Sequence, residues 1–310
     1  MSKKISIKTL PEPEYFVGHK ACGGCGGSLV VRWVLKVLGE RCFVVVPADC
    51  MSAVGFIYPQ MAFGVNAMIA PFAATGAMLS GIAAAVRARD DLKDVHVVGF
   101  AGDGATADIG LQALSGALDR REKIIYICYD NEAYMNTGVQ KSGATPWGAR
   151  TSTSAEGFRP PAIGTKKDLL RIAAAHGIPY AATASVGHPA DFLRKIQKAG
   201  AVDGPSFLHV FAPCPTGWGC ESDSTIRLGK SVVDTGLWPL AEWENGTLTI
   251  TRKPARFDPL QSYLGEQGRF RNIDEAELAA LERSRDETWR QLRAWERESA
   301  ADRTPADVAL

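Results

Sequence analysis

The sequence has no excess of either charge: 35 Lys and Arg residues face 34 Asp and Glu residues. A balanced surface gives no electrostatic reason to bind nucleic acid or an acidic membrane. The N-terminal stretch MSKKISIKTLPEPEYF lacks an apolar run long enough for a secretory signal, so a cytoplasmic location is expected. Disulfides are not expected either. Seven cysteines in a chain without an export signal fit metal ligands or buried thiols better. One uncharged stretch, Ala67 to Val86, is long enough to span a bilayer. It is richer in Ala, Gly, Ser and Thr than in Leu or Ile and is broken by Pro71, so a buried helix starting at Pro71 is expected and no membrane span. What is present is ample apolar material: 46% of 310 residues, enough for one large or two small domains.

The organising stretch is Val95 to Gly138, VHVVGFAGDGATADIGLQALSGALDRREKIIYICYDNEAYMNTG. Its opening apolar run reads as a buried parallel strand that breaks at Gly102-Asp103-Gly104. Ile109, Leu111, Leu114 and Leu118 are spaced for the inner face of a helix, and Ile124 to Tyr129 reads as a second strand ending at Asp130-Asn131. In such a unit both strands point the same way, so the loops at Asp103 and Asn131 emerge at the sheet edge where open α/β folds bind ligands. Gly102 and Gly104 allow backbone amides to approach an anion at a helix start. Asp103 and Asn131 are hard oxygen ligands of low total charge, suited to Mg²⁺ or Ca²⁺ held partly through phosphate oxygens. The pattern describes a metal and diphosphate clamp.

The cysteines divide into groups. Cys22 and Cys25 form a CxxC in the glycine-rich GHKACGGCGG, ahead of a helix expected from Ser28 to Leu38. By themselves they fit a zinc half-site, a redox pair or an iron–sulfur half-site. Cys50 follows a strand expected over Arg41 to Ala48, and Cys214 follows another ending in Phe207 to Pro215. Four thiolates from Cys22, Cys25, Cys50 and Cys214 can therefore meet at one strand-end region, with Cys220 as competitor for the fourth place. Cys42 and Cys128 lie in apolar strands and read as buried hydrophobes.

Beyond the central unit, Gln140 to Gly164 reads as a long ordered loop or lid. Helices are expected at 165–176 and 189–200, strands at 180–185 and 206–211, a short helix after Asp223, an edge hairpin reaching Thr251, and a charged helix from Ile273 to Ser299. His96, His176 and His209 read as structural, while His19 sits beside the CxxC loop. The alternation predicts an α/β fold with one doubly wound, mostly parallel sheet over residues 1–250, followed by a helical extension over 251–310.

GDG followed after 26 residues by Asn131 resembles the thiamine diphosphate signature. The stretches NEAYMNTG, GHKACGGCG and APCPTGWG resemble those of the β subunits of 2-oxoacid:ferredoxin oxidoreductases, over about Gly18 to Asn245. The pyruvate-oxidising enzymes are the best-known members. The resemblance implies a PP-type thiamine diphosphate domain that contacts its cofactor through Gly102, Asp103, Gly104, Ala105, Asn131, Ala133, Cys50 and Thr137. It further implies Mg²⁺ on Asp103, Asn131 and the Ala133 carbonyl, a [4Fe–4S] cluster on Cys22, Cys25, Cys50 and Cys214, and Asn136 facing the substrate. The implied reaction is oxidative decarboxylation of a 2-oxoacid, with electrons passed to the cluster and the acyl group to coenzyme A. An α subunit that supplies the activating glutamate is implied, as are γ and δ subunits with ferredoxin-like clusters and ferredoxin or another electron acceptor. Without these partners the chain is expected to have no oxidoreductase activity. Two departures stand out. Ala48-Asp49 precedes the third cysteine where relatives commonly carry Thr-Gly, and Ala105, Thr106 and Ala107 follow GDG where some pyruvate enzymes carry bulky aromatics. These point to a shifted cluster potential and to room for an aryl 2-oxoacid such as phenylglyoxylate. Two other classes fit the same residues: a non-redox thiamine-dependent lyase subunit with structural zinc, and a non-catalytic metal-binding assembly subunit.

Overall fold

The computed structural model describes residues 5–159 and 166–301. The far part of the expected 140–164 loop therefore lies outside the described residues. The first helix, α1 (Gly26–Leu38), starts where Cys25 caps it, the sulfur accepting the Ser28 N–H at 3.4 Å, and stops at Gly39, whose φ of 83° no longer suits a helix. It is followed by β1 (Cys42–Pro47), α2 (Cys50–Gly55), a two-stranded hairpin of β2 (Phe56–Ile57) and β3 (Gln60–Met61), then β4 (Asn66–Ala70) and α3 (Thr75–Arg87). The central unit is β5 (His96–Gly102), α4 (Leu111–Asp119) and β6 (Ile125–Asp130). Next come α5 (Leu169–Ala175), β7 (Tyr180–Ser185), α6 (Pro189–Ala201), β8 (Ser206–Phe211), α7 (Pro215–Trp218) and α8 (Thr225–Asp234). The chain closes with β9 (Ala241–Glu244), β10 (Thr247–Ile250), α9 (Gln261–Leu264) and α10 (Glu275–Ala301).

Eight strands form one sheet in the order β10-β9-β7-β8-β6-β5-β1-β4, with every pair from β7 to β4 parallel. One face is covered by α1 and α6, whose Val30, Val34, Phe192 and Ile196 share a core with Val44, Val98 and Ile127. The other is covered by α3, α4, α5 and α10, through residues such as Leu79, Leu114, Leu169 and Trp289. Burying apolar residues on both faces explains why the central strands read as continuous hydrophobic runs. The β9–β10 hairpin turns at Asn245-Gly246, both at positive φ, and adds antiparallel to β7. Its outer edge is sealed by α10: the Leu248 N–H donates to Ser299 Oγ at 3.0 Å and the Ile250 N–H to Glu296 Oε1 at 2.9 Å.

Two expectations need correction. The uncharged stretch Ala67 to Val86 does not form a buried helix from Pro71. Its first residues form edge strand β4, with Met68 44% and Ile69 47% exposed, and α3 begins only at Thr75. Pairing with β1 overrides the helical reading of the small residues, and Pro71 marks the break between the two elements. Ile109 is 52% exposed rather than inward-facing. Gly104–Asp108 forms a π turn in which the Ile109 N–H reaches back to the Gly104 carbonyl at 3.2 Å, and the added residue rotates Ile109 off the inner face. No helix among the described residues is long and apolar enough to cross a membrane.

Candidate functional site

The strands β8, β6, β5 and β1 are neighbours, so the residues after their C-terminal ends share one edge of the sheet. After β1 the chain moves outward to β4, whereas after β5 it moves the other way to β6, which makes the β1/β5 boundary the topological switch point. Asp49 and Gly102 meet there: the Gly102 N–H donates to Asp49 Oδ2 at 2.8 Å, while Asp49 Oδ1 caps α2 by accepting the Met51 N–H at 2.9 Å.

A cleft opens at this point. Cys50, Gly102, Gly104, Ala105, Asn131 and Ala133 line it together, and Asn136 and Thr137 stand exposed at its mouth. Of the small residues after GDG, only Ala105 reaches the cleft; Thr106 and Ala107 are buried, and Thr106 donates its hydroxyl to the Gly102 carbonyl at 2.8 Å. Phe72, Tyr129, Tyr134 and Met135 also line the cleft, and no sequence signal marked them. Gly104 is required sterically, since a Cβ there would enter the Tyr134 ring.

Asp103 is wholly buried beneath the cleft floor. One of its oxygens accepts the Ser142 hydroxyl, and the other accepts the Asn131 backbone N–H at 3.3 Å. Burial first, and the Asp130 carboxylate second, push its carboxyl well above the usual range. The Asn131 amide points one atom at both Asp103 Oδ1, 3.0 Å away, and the Ala133 carbonyl oxygen, 2.9 Å away. With no cation, the amide NH₂ would satisfy both oxygens. With Mg²⁺, the amide oxygen takes that place, because ligands ~2.1 Å from a central ion in octahedral array lie ~3.0 Å from one another. The residues fit a hard divalent cation completed by phosphate oxygens, and the ion would relieve the cost of burying Asp103.

The four cysteines expected to act together are near one another. Burial pushes the Cys50 thiol upward, and Asp49, Cys214, Cys25 and Cys22 are all close enough for their negative charge to add to it. Burial likewise pushes Cys214 up to about 11, with Cys25 and Cys22 adding to the effect. What joins the two ends of the chain is the backbone of α1. The Gly26 N–H donates to the Pro213 carbonyl at 3.0 Å, and a Cβ on Gly26 would lie 2.7 Å from the Ala212 carbonyl carbon. Cys25 and Cys214 each accept a backbone N–H at 3.4 Å, from Ser28 and Gly217. Amide donors of this kind fit thiolates bound to an electron-accepting centre. Among the described residues no three His, Cys, Asp or Glu side chains gather around the point that a single ion would occupy. Cys42 and Cys128 are buried, and the half-buried Cys220 has its thiol 3.9 Å from the Pro215 carbonyl oxygen.

Behind the cleft runs a charged network that sequence reasoning did not find. Glu132, between two of the oxygen donors, has φ +66°, a left-handed conformation costing ~1–2 kcal/mol for a side chain of this type. Buried Arg269 and half-buried Lys166 both pair with its carboxylate, Thr145 donates to its carbonyl at 2.7 Å, and its own N–H donates to Asp130 Oδ1 at 2.8 Å. Burial lowers Lys166 to about 8 against the pull of Asp130. His209, expected to be structural, donates its Nε2–H to the Asp130 carboxylate at Oδ2, 2.9 Å away.

This edge of a doubly wound sheet has the character of a thiamine pyrophosphate-binding domain, and residues 56–210 match the C-terminal TPP-binding domain of thiamine pyrophosphate enzymes. The chain is 45% identical over 288 residues to pyruvate synthase subunit PorB of Methanothermobacter thermautotrophicus, covering 92% of this chain and 99% of that one. It is 45% identical over 293 residues to ketoisovalerate oxidoreductase subunit VorB of Pyrococcus abyssi, covering 92% and 94%. A solved 2-oxoglutarate:ferredoxin oxidoreductase from Magnetococcus marinus, with 2-oxoglutarate, coenzyme A and succinyl-CoA bound, shares the fold at TM-score 0.57 and 19% identity over 88% of this chain and 97% of that one. The chain belongs to the β subunits of the 2-oxoacid:ferredoxin oxidoreductases.

Proposed function

We propose that this chain is the cofactor-bearing subunit of a coenzyme A-dependent 2-oxoacid oxidoreductase, holding thiamine diphosphate through Mg²⁺ and a [4Fe–4S] cluster beside it. The observation that carries the reading is that one Asn131 amide atom lies 3.0 Å from Asp103 Oδ1 and 2.9 Å from the Ala133 carbonyl oxygen, in a cleft that Cys50 also lines. Thiamine diphosphate supplies the electron sink for decarboxylation, and the cluster accepts the released electrons singly. Asp103, Asn131 and Ala133 would anchor the diphosphate through Mg²⁺, and the amides of Gly104 and Ala105, at the start of the π turn, would face its anionic oxygens. By accepting the Gly102 N–H, Asp49 ties that strand end to the segment of its neighbour Cys50, which would keep cofactor and cluster side by side. Asn136 and Thr137, at the mouth, are placed to meet a substrate that arrives from the solvent side or from a partner chain.

The relatives named for pyruvate and ketoisovalerate support an aliphatic 2-oxoacid. Since only Ala105 of the three small residues faces the cleft, the case for phenylglyoxylate rests on that single position. An α subunit completing the thiamine site, γ and δ subunits, and ferredoxin as acceptor belong to the same proposal. The test is anaerobic purification of the complex containing this chain, with iron, acid-labile sulfide, zinc, magnesium and thiamine diphosphate quantified. Turnover is then compared on pyruvate, 2-oxoisovalerate, 2-oxoglutarate and phenylglyoxylate. Zinc without iron or sulfide would replace this reading with a non-redox lyase subunit. Thiamine diphosphate and Mg²⁺ that leave thermal unfolding of the complex unchanged would replace it with an assembly role.

A further inference from the structure

Trp218 and Arg269 touch both halves of the site. Trp218 ends α7, the short helix capped by Cys214, and its indole N–H donates at 2.8 Å to the backbone carbonyl of Asn131. Arg269, from the segment before α10, lays its guanidinium 3.7 Å from the centre of the Trp218 ring and pairs with the carboxylate of Glu132. Its Nε–H donates to Gln267 Oε1 at 2.9 Å and Nη2 also to the Tyr263 hydroxyl at 3.4 Å, and only 4% of the side chain is exposed. Glu132 is the left-handed residue between Asn131 and Ala133, so its side chain controls whether those two oxygen donors point the same way.

We propose that Arg269 and Trp218 are positioning residues that clamp the oxygen-donor loop after β6 to the helix bearing Cys214, fixing the Mg²⁺–diphosphate site relative to the four-cysteine site. The inference rests on the function proposed above and adds the element that couples its two centres. A planar, forked cation does both tasks at once: one edge meets the Glu132 carboxylate while the face lies on the indole. A lysine would keep the charge but lose the stacked plane.

The test uses the whole anaerobic complex with Arg269→Gln, Arg269→Lys and Trp218→Phe. Trp218→Phe keeps a ring for Arg269 and removes only the N–H donated to Asn131. Three quantities are measured: iron content, the dissociation constant of thiamine diphosphate at fixed Mg²⁺, and the change in the reduced cluster's EPR spectrum when cofactor is added. Removing a side chain that only orients the ligating residues costs ~10–100-fold in ligand affinity. Arg269→Gln is expected to weaken cofactor binding about 10-fold or more with iron retained, and to abolish the EPR response. Trp218→Phe is expected to do the same to a smaller extent, and Arg269→Lys to restore thermal stability without restoring the EPR response. Parallel loss of iron, cofactor affinity and melting temperature in every variant would make the pair merely structural and overturn the proposal. Wild-type affinity and EPR response in Trp218→Phe and Arg269→Lys would overturn it as well. If the wild-type complex itself holds no iron or no thiamine diphosphate, it is the proposed function that fails, and the clamp fails with it.

Discussion

Asp103, Asn131 and Ala133 come from one strand, helix, strand unit and are brought together by the pairing of β5 with β6, Gly102 lying opposite Tyr129. Cys22, Cys25, Cys50 and Cys214 come from three segments between residues 22 and 214, and the segments of Cys25 and Cys214 are held together where α1 docks its first turn on the backbone of Ala212 and Pro213. The difference is one of loop closure. The oxygen site forms as soon as neighbouring parallel strands register, whereas the sulfur site must bring distant segments together before any of its contacts are made. A locally built site should tolerate damage to the other centre, and a site assembled from afar should depend on docking contacts well outside it.

The largest effects come from removing ligands. Asp103→Asn should abolish Mg²⁺-dependent cofactor binding and lower turnover by more than ~100-fold, beyond the cost of losing a side chain that only orients ligands, while iron stays at the wild-type level. Cys50→Ser should show the reverse, with iron and acid-labile sulfide lost and thiamine diphosphate still bound. Cys214→Ser should lose iron as well, and Cys220→Ser should keep it, since the Cys214 sulfur, like that of Cys25, accepts a backbone N–H whereas the Cys220 thiol is turned to the Pro215 carbonyl 3.9 Å away. Metal and cofactor analysis of the four purified complexes decides the matter. If Asp103→Asn and Cys50→Ser each lose both groups, the two centres are not separately built and the comparison fails.

The same contrast explains what could be read from the sequence. The strand ends at Gly102 and Asp130, and the strands 180–185 and 206–211, were legible because burial on both faces writes continuous apolar runs and the glycines mark the breaks. The oxygen donors were legible because the unit that holds them is local. Ser142, which donates to Asp103, and the Trp218–Arg269–Glu132 chain were not, since their partners lie far away in sequence and single polar residues carry no period. The uncharged stretch from Ala67 misled because strand pairing, not composition, decides its first residues. The placement of Ile109 failed for another reason: one π turn breaks the helical spacing from which its face was inferred.

A weaker perturbation probes the docking contact itself. Gly26→Ala drives a methyl group into the 212–213 backbone, which has no flexible end to yield, and should destabilise by ~1–3 kcal/mol. Differential scanning calorimetry should show the lower melting temperature, and iron content should fall while cofactor affinity is spared. Gly81→Ala in α3 is the control, because a Cβ there meets nothing within 4 Å. Replacing a helical glycine of this kind should raise stability by up to ~1 kcal/mol and leave both centres unchanged.

The smallest effect is electrostatic and again concerns α1. Glu14, in the N-terminal arm, accepts from Arg32 at 2.9 Å and from Lys36 at 2.6 Å, which ties the arm to the helix behind Cys25. The Arg32 hydrogen bond, against the opposing effect of burial and with Lys36 assisting, lowers its carboxyl to about 2 from an ordinary 4.5. A depressed carboxylate contributes stability that is complete above the unfolded pKa and is lost as pH falls through the folded one. Glu14→Gln should therefore melt below wild type by a margin worth less than ~1 kcal/mol, because the pair is partly exposed and screened by salt. That margin should stay constant from neutral pH down to where Glu14 protonates in the unfolded chain, around 4.5, then shrink until the folded chain protonates too, at about 2, where wild type comes to resemble the variant. It should also narrow at high ionic strength. Melting temperatures of both proteins across pH and salt give the answer. A margin that persists unchanged into acid would mean that Glu14 acts through the packing of its methylenes rather than through its charge, and the arm's hold on α1 would then not be electrostatic.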